Sequence, residues 1–244
     1  MRIAAISDIH GNIDALEAVL ADIERRDVDV TVNLGDIVSG PLMPVETADR
    51  LIPLALPTIR GNHERQLLAT PLDQMGKSDR YARDVLADKH LAWLSSLPAS
   101  IRLTPDILVI HGGIDSDLTY LLERVTPEGR RAATAAEVAS SIENVDASLI
   151  ICGHTHVPRS VMLADGHHVV NPGSVGLQAY ADVHPYPHTI ENGSPHARYA
   201  IVEQTGTRWN VEFFEIEYDW ERAATLAEQR GRADWAHALR SGRA

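Results

Sequence analysis

Five short apolar runs in this 244-residue chain end on the same restricted set of side chains, aspartate, asparagine and histidine. Asp8 and His10 follow residues 3–7, and Asp36 follows 30–35. Asn62 and His63 follow 58–61, His111 follows 107–110, and His154 and His156 follow 149–153. Between the first runs, residues 12–26 carry Ile13, Leu16, Val19, Leu20 and Ile23 at helical spacing, and Pro44 opens a second helical stretch to residue 52. The pattern over residues 2–59 is β-α-β-α-β, which predicts a largely parallel sheet with helices on its faces. Ligands of such sheets bind outside the carboxyl ends of the strands, where these side chains sit.

Residues two apart in extended chain point to one side, so Asp8 with His10, and His154 with His156, can each present two groups together. Carboxylate, amide oxygen and imidazole suit divalent ions such as Mn²⁺, Fe²⁺ or Zn²⁺. Asp8, His10, Asp36, Asn62, His111, His154 and His156 make seven candidate ligands, more than one ion needs. Two ions about 3.5–4 Å apart would use them all, activating a water and clamping the oxygens of a phosphoryl group. His63, beside Asn62 at the start of a helical segment, is placed to protonate a leaving oxygen.

Composition narrows the class further. The net charge of -12, from 34 acidic and 22 basic residues, opposes binding to a long nucleic acid by phosphate neutralisation. The single cysteine, Cys152, excludes an internal disulfide and a thiolate-rich metal site, and reads as a buried apolar residue. No apolar run approaches the roughly 20 residues of a membrane helix, and the opening MRIAAISDIHG is too soon interrupted by charge for a signal peptide. The expectation is a cytoplasmic protein with a small phosphorylated substrate, no membrane and no long nucleic acid, with a homo-oligomer left open.

Elsewhere the pattern predicts a single domain over 1–244. Residues 64–97 read as a small helical cap, 127–142 as a helix, and 178–196, with its prolines and histidines, as a long loop that could gate the site. Short strands at 160–163, 168–170, 198–203 and 209–217 suggest a second, antiparallel sheet, and 219–240 one helix broken near Gly231, or two helices. Asn12 reads as a helix cap, Asn171 as a turn residue, and the tryptophans as core. His184, His188 and His196 read as loop residues.

DIHGN (8–12), GDIVSG (35–40), GNHE (61–64), HGG (111–113) and GHTH (153–156) resemble, in order, the five motifs of the calcineurin-like metallophosphoesterase superfamily. NPGSVG (171–176) is similar to the segment that follows GHTH in its small prokaryotic phosphodiesterases. The resemblance implies an α/β fold of two mixed β-sheets packed as a sandwich with helices on the outer faces. It implies one metal on Asp8, His10, Asp36 and His156 and another on Asp36, Asn62, His111 and His154, with Asp36 bridging. His63 matches the histidine that assists the leaving group. Arg60, directly before GNHE, matches an arginine seen there and is a candidate contact to phosphate.

The implied activity is hydrolysis of a phosphoester, a phosphodiester ahead of a phosphomonoester, by metal-activated hydroxide. Mn²⁺ is the first metal to try, with Fe, Zn, Ni and Co also compatible with these ligands. The alternatives are a dinucleoside-polyphosphate hydrolase, a serine/threonine-type protein phosphatase, and a non-catalytic metal-binding scaffold on the same fold. The two enzyme branches follow the second motif with Asp-Arg-Gly, where this chain has Val38-Ser39-Gly40. A scaffold should have lost ligands, and here none is missing.

Overall fold

The computed structural model describes residues 1–206 and 208–244. The first third of the chain forms β1 (Arg2–Ile6), α1 (Ile13–Ile23), β2 (Val30–Asn33), α2 (Pro44–Leu51), α3 (Asn62–Ala69), α4 (Lys77–Val85) and α5 (Asp88–Ser96). The middle forms β3 (Ser100–Thr104), β4 (Ile107–Ile110), β5 (Glu123–Thr126), β6 (Gly129–Ala132), α6 (Ala135–Ser141), β7 (Leu149–Ile151), β8 (Arg159–Met162) and β9 (His168–Asn171). The remainder is β10 (Ala179–Asp182), β11 (His188–Glu191), β12 (Ala197–Thr205), β13 (Arg208–Ile216), α7 (Trp220–Gln229) and α8 (Ala233–Ser241).

Two sheets carry the fold, ordered β13-β12-β1-β2 and β3-β4-β7-β9-β8. Both are mixed: β1 runs parallel to β2 and antiparallel to β12, while β7 runs parallel to β4 and β9, which pair antiparallel with β3 and β8. Alternation along β1 sends Ile3 and Ala5 to the space between the sheets, where they meet Val109 of β4, Ile151 of β7 and Val170 of β9. Ala4 and Ile6 point the other way, onto Leu16 and Val19 of α1. The outer face of the second sheet is covered by Val138 of α6 with Leu121 and Leu122. This is the expected sandwich with helices outside.

Four sequence expectations are corrected. The strands at 198–203 and 209–217 do not build a separate antiparallel sheet: β12 pairs with β1, Arg2 opposite Glu203, and so completes the first sheet. The stretch 127–142 is not one helix; its first part forms the β5–β6 hairpin and only Ala135–Ser141 is helical. Residues 178–196 are not an irregular loop, because β10 and β11 pair across them. The last strand of the β-α-β-α-β pattern, at 56–59, is reduced to a single bridge, Asn33 with Thr58, since Pro57 lacks the amide hydrogen that a ladder needs. The helices within 64–97 place Leu67, Ala82, Leu86 and Leu94 in the same core as α1. Among the described residues no helix is long and apolar enough to cross a membrane.

α1 starts where Asn12 Oδ1 accepts the Ala15 N–H at 3.2 Å, and it is tied to the sheet by a buried carboxylate. Asp22 accepts hydrogen bonds from Tyr199 Oη of β12 at 2.6 Å, from Arg26 Nε at 2.5 Å and from Arg25 at 3.1 Å. Burial alone would raise its pKa; these donors outweigh it and hold the carboxyl below its usual range. Asp22→Asn is expected to cost about 1–3 kcal/mol at neutral pH. A depressed folded pKa means that the carboxylate's contribution is present above the unfolded value of 3.8 and is lost as pH falls through the folded one. Urea unfolding should therefore show a gap between variant and parent at pH 7 that shrinks in acid. A gap independent of pH would contradict the assignment.

Candidate metal centre

Strand ends and backbone strain position the candidate ligands. Asp8 and His10 follow β1, Asp36 follows β2, Asn62 opens α3, His111 follows β4, and His154 and His156 follow β7. Asp8, His10, Asp36, His154 and His156 all have left-handed backbone, with φ of 55°, 53°, 54°, 70° and 59°. Non-glycine residues in that region cost of order 1–3 kcal/mol each and persist only where the surroundings hold them. Here the loops are laced together: Asp8 N–H donates to Gly35 O at 3.0 Å, His10 N–H to Asp36 O at 3.0 Å, and Gly153 N–H to His111 O at 2.7 Å. Gly61 must lack a side chain, because a Cβ there would overlap Asp36 Oδ1.

The structure gathers the candidate ligands into two groups. Asp8, His10 and His156 form one, and Asp36, His111 and His154 the other, with ligand atoms within 4.8 Å of one another in each. Asn62 joins the second group through Oδ1, 3.1 Å from His111 Nε2. Asp8 Oδ2 accepts the His154 N–H at 3.2 Å, so the groups are adjacent.

The donor chemistry fits cations. His10 Nδ1 lies 2.8 Å from Ser39 O and His156 Nδ1 lies 2.7 Å from Leu177 O. A carbonyl only accepts, so both Nδ1 atoms carry a proton, and because burial keeps both rings neutral both Nε2 atoms are lone pairs. Those Nε2 atoms stand 3.1 Å apart. Nearby, Asp8 Oδ1 is buried with no hydrogen-bond partner. In the second group His111 Nδ1–H donates to Leu34 O at 2.7 Å. Its Nε2 then faces Asn62 Oδ1 and, at 3.2 Å, Asp36 Oδ2. Acceptors converging in a buried space need a proton or a metal ion between them.

The same crowding shifts the titration of these groups. Burial raises Asp8 to about 7 and lowers His10 to about 4 and His154 to about 3. Burial would also lower His111, but Asp36 and Asp8 outweigh it and lift the imidazole to about 10. A proton on His111 Nε2 competes with a metal for one lone pair, so metal binding there releases a proton.

His63 lies at the second position of α3, where its N–H donates to Asp36 Oδ1 at 3.0 Å. Its Nδ1 meets Asp79 Oδ1 of α4 at 2.7 Å, which leaves Nε2 for the cleft. Burial disfavours its charged form, yet Asp36 and Asp79 raise it to about 9. Arg60 stands apart from these residues. It is half-buried, its N–H donates to Pro98 O at 2.9 Å, and it is absent from the cleft wall.

Sequence reasoning missed four contributors. Asp79 is a buried acid on an otherwise polar helix, a weak signal at best. Tyr120 and Tyr180 wall the cleft, Tyr120 from a segment given no role and Tyr180 from the stretch read as a possible gating loop. Glu64, the last residue of GNHE, is fully buried and accepts N–H groups of Asp36 at 2.9 Å, Ile37 at 2.8 Å and Gly61 at 2.8 Å. It holds the Asp36 loop against α3. Glu64→Gln puts an amide donor among these donors and is expected to weaken metal binding about 10–100-fold. Competition against a chelator reads this directly, and unchanged affinity would contradict it.

A family model for the calcineurin-like phosphoesterase superfamily domain matches residues 1–190. The chain belongs to that superfamily, whose chemistry is metal-dependent phosphoester hydrolysis. It is similar to a metallophosphoesterase from Sphaerobacter thermophilus, with 27% identity, 99% of this chain and 100% of that chain covered, and a TM-score of 0.75. The hypothetical protein PH1004 from Pyrococcus horikoshii shares the fold at 20% identity and a TM-score of 0.76, over 99% of this chain and 98% of that one. The uncharacterized protein MJ0912 from Methanocaldococcus jannaschii is 27% identical over 96% of this chain and 94% of its own length.

Proposed function

We propose that this chain hydrolyses a phosphodiester using two divalent ions held by Asp8, His10, Asp36, Asn62, His111, His154 and His156. Bound divalent ions supply the charge that activates water and stabilises the phosphoryl oxygens. His63 presents Nε2 to the leaving oxygen and donates its proton, while Asp79 fixes the ring through Nδ1. This intact pair also favours an enzyme over a scaffold.

The diester preference rests on one observation. Among the described residues Arg124 is the single lysine or arginine lining the cleft, and its guanidinium is already engaged. Nη1 donates to Tyr120 O and Glu123 O, both at 2.8 Å, and Nη2 to Glu137 O at 3.1 Å and Ser141 Oγ at 3.0 Å. A phosphomonoester dianion or a polyphosphate would call for free cationic donors beyond the metals. A singly charged diester does not. Val38-Ser39-Gly40, in place of Asp-Arg-Gly, brings no arginine to this loop, while the Ser39 backbone carbonyl orients His10 as any residue there would. Initial rates of Mn²⁺-loaded protein should give at least about tenfold higher kcat/KM on bis-p-nitrophenyl phosphate than on p-nitrophenyl phosphate. Preference for the monoester would overturn the diester reading.

A further inference from the structure

The cleft has a volume of about 930 Å³. That is near the top of the roughly 300–1,000 Å³ range of organic-ligand sites and far more than a phosphoryl group and two ions fill. Its excess is walled by aromatic rings. Tyr120 packs edge-on to His154 with centroids 5.1 Å apart, Tyr180 to His156 at 4.8 Å, and Trp235 to His10 at 5.9 Å. The rings therefore begin where the candidate ligands end. Trp235 reaches this place from α8 because Gly40 leaves room for it; a Cβ at Gly40 would lie 2.7 Å from the indole Cη2.

The polar tips of the tyrosines are turned on each other. His188 is buried, and its Nδ1–H donates to Tyr186 O at 2.8 Å, so Nε2 is an acceptor. It receives the Tyr120 O–H at 3.2 Å, and Tyr120 Oη in turn receives the Tyr180 O–H at 2.7 Å. With both phenol protons committed, the wall offers ring surface rather than donors. Leu118, Val125 and Leu177 extend it, and Glu123 is neutralised by Arg130 and Arg159, both within 2.8 Å.

We propose that Tyr120, Tyr180 and Trp235 form a slot that selects phosphoesters carrying a planar aromatic group, an aryl ring or a nucleobase. This rests on the phosphoesterase reading of the adjacent centre and names the organic half of its substrate. Ring-on-ring contact is sequence-tolerant and needs no hydrogen-bond donors, which matches what the wall presents.

The test is calorimetric binding of methylphosphonate, phenylphosphonate and thymidine 5′-phosphate to the Mn²⁺-loaded protein. Phenylphosphonate should bind at least about tenfold tighter than methylphosphonate, about 1.4 kcal/mol. Tyr120→Leu and Trp235→Leu should bring that ratio towards one, and Tyr120→Phe, which keeps the ring, should preserve it. Thymidine 5′-phosphate tighter than phenylphosphonate would identify a nucleobase, and weaker binding a simple aryl group. Equal affinities for the methyl and phenyl compounds, or tighter binding of methylphosphonate, would overturn the slot. The ratio needs no turnover, so a failed diester assay and a failed slot are separate results.

Discussion

Asp36→Asn is expected to lower kcat/KM by about 10³-fold or more and to reduce bound metal. The carboxylate is 1% exposed and both its oxygens are committed: Oδ1 accepts the His63 N–H at 3.0 Å, and Oδ2 faces His111 Nε2 at 3.2 Å. His111 and His63 overcome the effect of burial and hold its pKa well below the ordinary carboxylate value. An asparagine of the same shape can keep one of these contacts. If its oxygen stays with the His63 N–H, its amide nitrogen must face His111 Nε2 and the metal position, where it donates rather than ligates. Losing several kcal/mol of charge stabilisation in the transition state corresponds to a factor of that size. Full metal occupancy with a normal rate would refute the role.

His63→Ala is expected to leave metal content intact and to slow esters with poor leaving groups by about 10²–10⁴-fold. Activated p-nitrophenyl esters should suffer less, because p-nitrophenolate leaves without a proton. Asp79→Asn should give the same pattern more weakly, since it disturbs only the partner of Nδ1. Both follow from the position of His63, whose ring lies beside His10 with centroids 5.4 Å apart but is directed by an acid from α4. An equal loss for every leaving group would reject proton donation.

What was legible in the chain was whatever is local. Asp8 with His10, and His154 with His156, follow short apolar runs by rule, and their motifs lie within a few residues. Their left-handed backbone was not legible, because it is imposed by cross-loop hydrogen bonds such as His10 N–H to Asp36 O. Asp79 escaped notice because its partner is 16 residues away on a different helix. The β5–β6 hairpin was masked by helix-favouring residues after it; it is held by Arg130 and Arg159 converging on buried Glu123. β12 joins β1 through pairs such as Ile3 with Val202, a tertiary choice that strand propensity does not encode. Trp235 reads as core by its burial and also lines the cleft, a double role set by the approach of α8 to Gly40.

The central claim is that two ions in this centre enable diester hydrolysis. The most direct measurement is a titration of metal-free protein with Mn²⁺, following hydrolysis of bis-p-nitrophenyl phosphate against equivalents bound. The account predicts activity that rises to a break at two ions per chain. A break at one, or no hydrolysis with two bound, would contradict it.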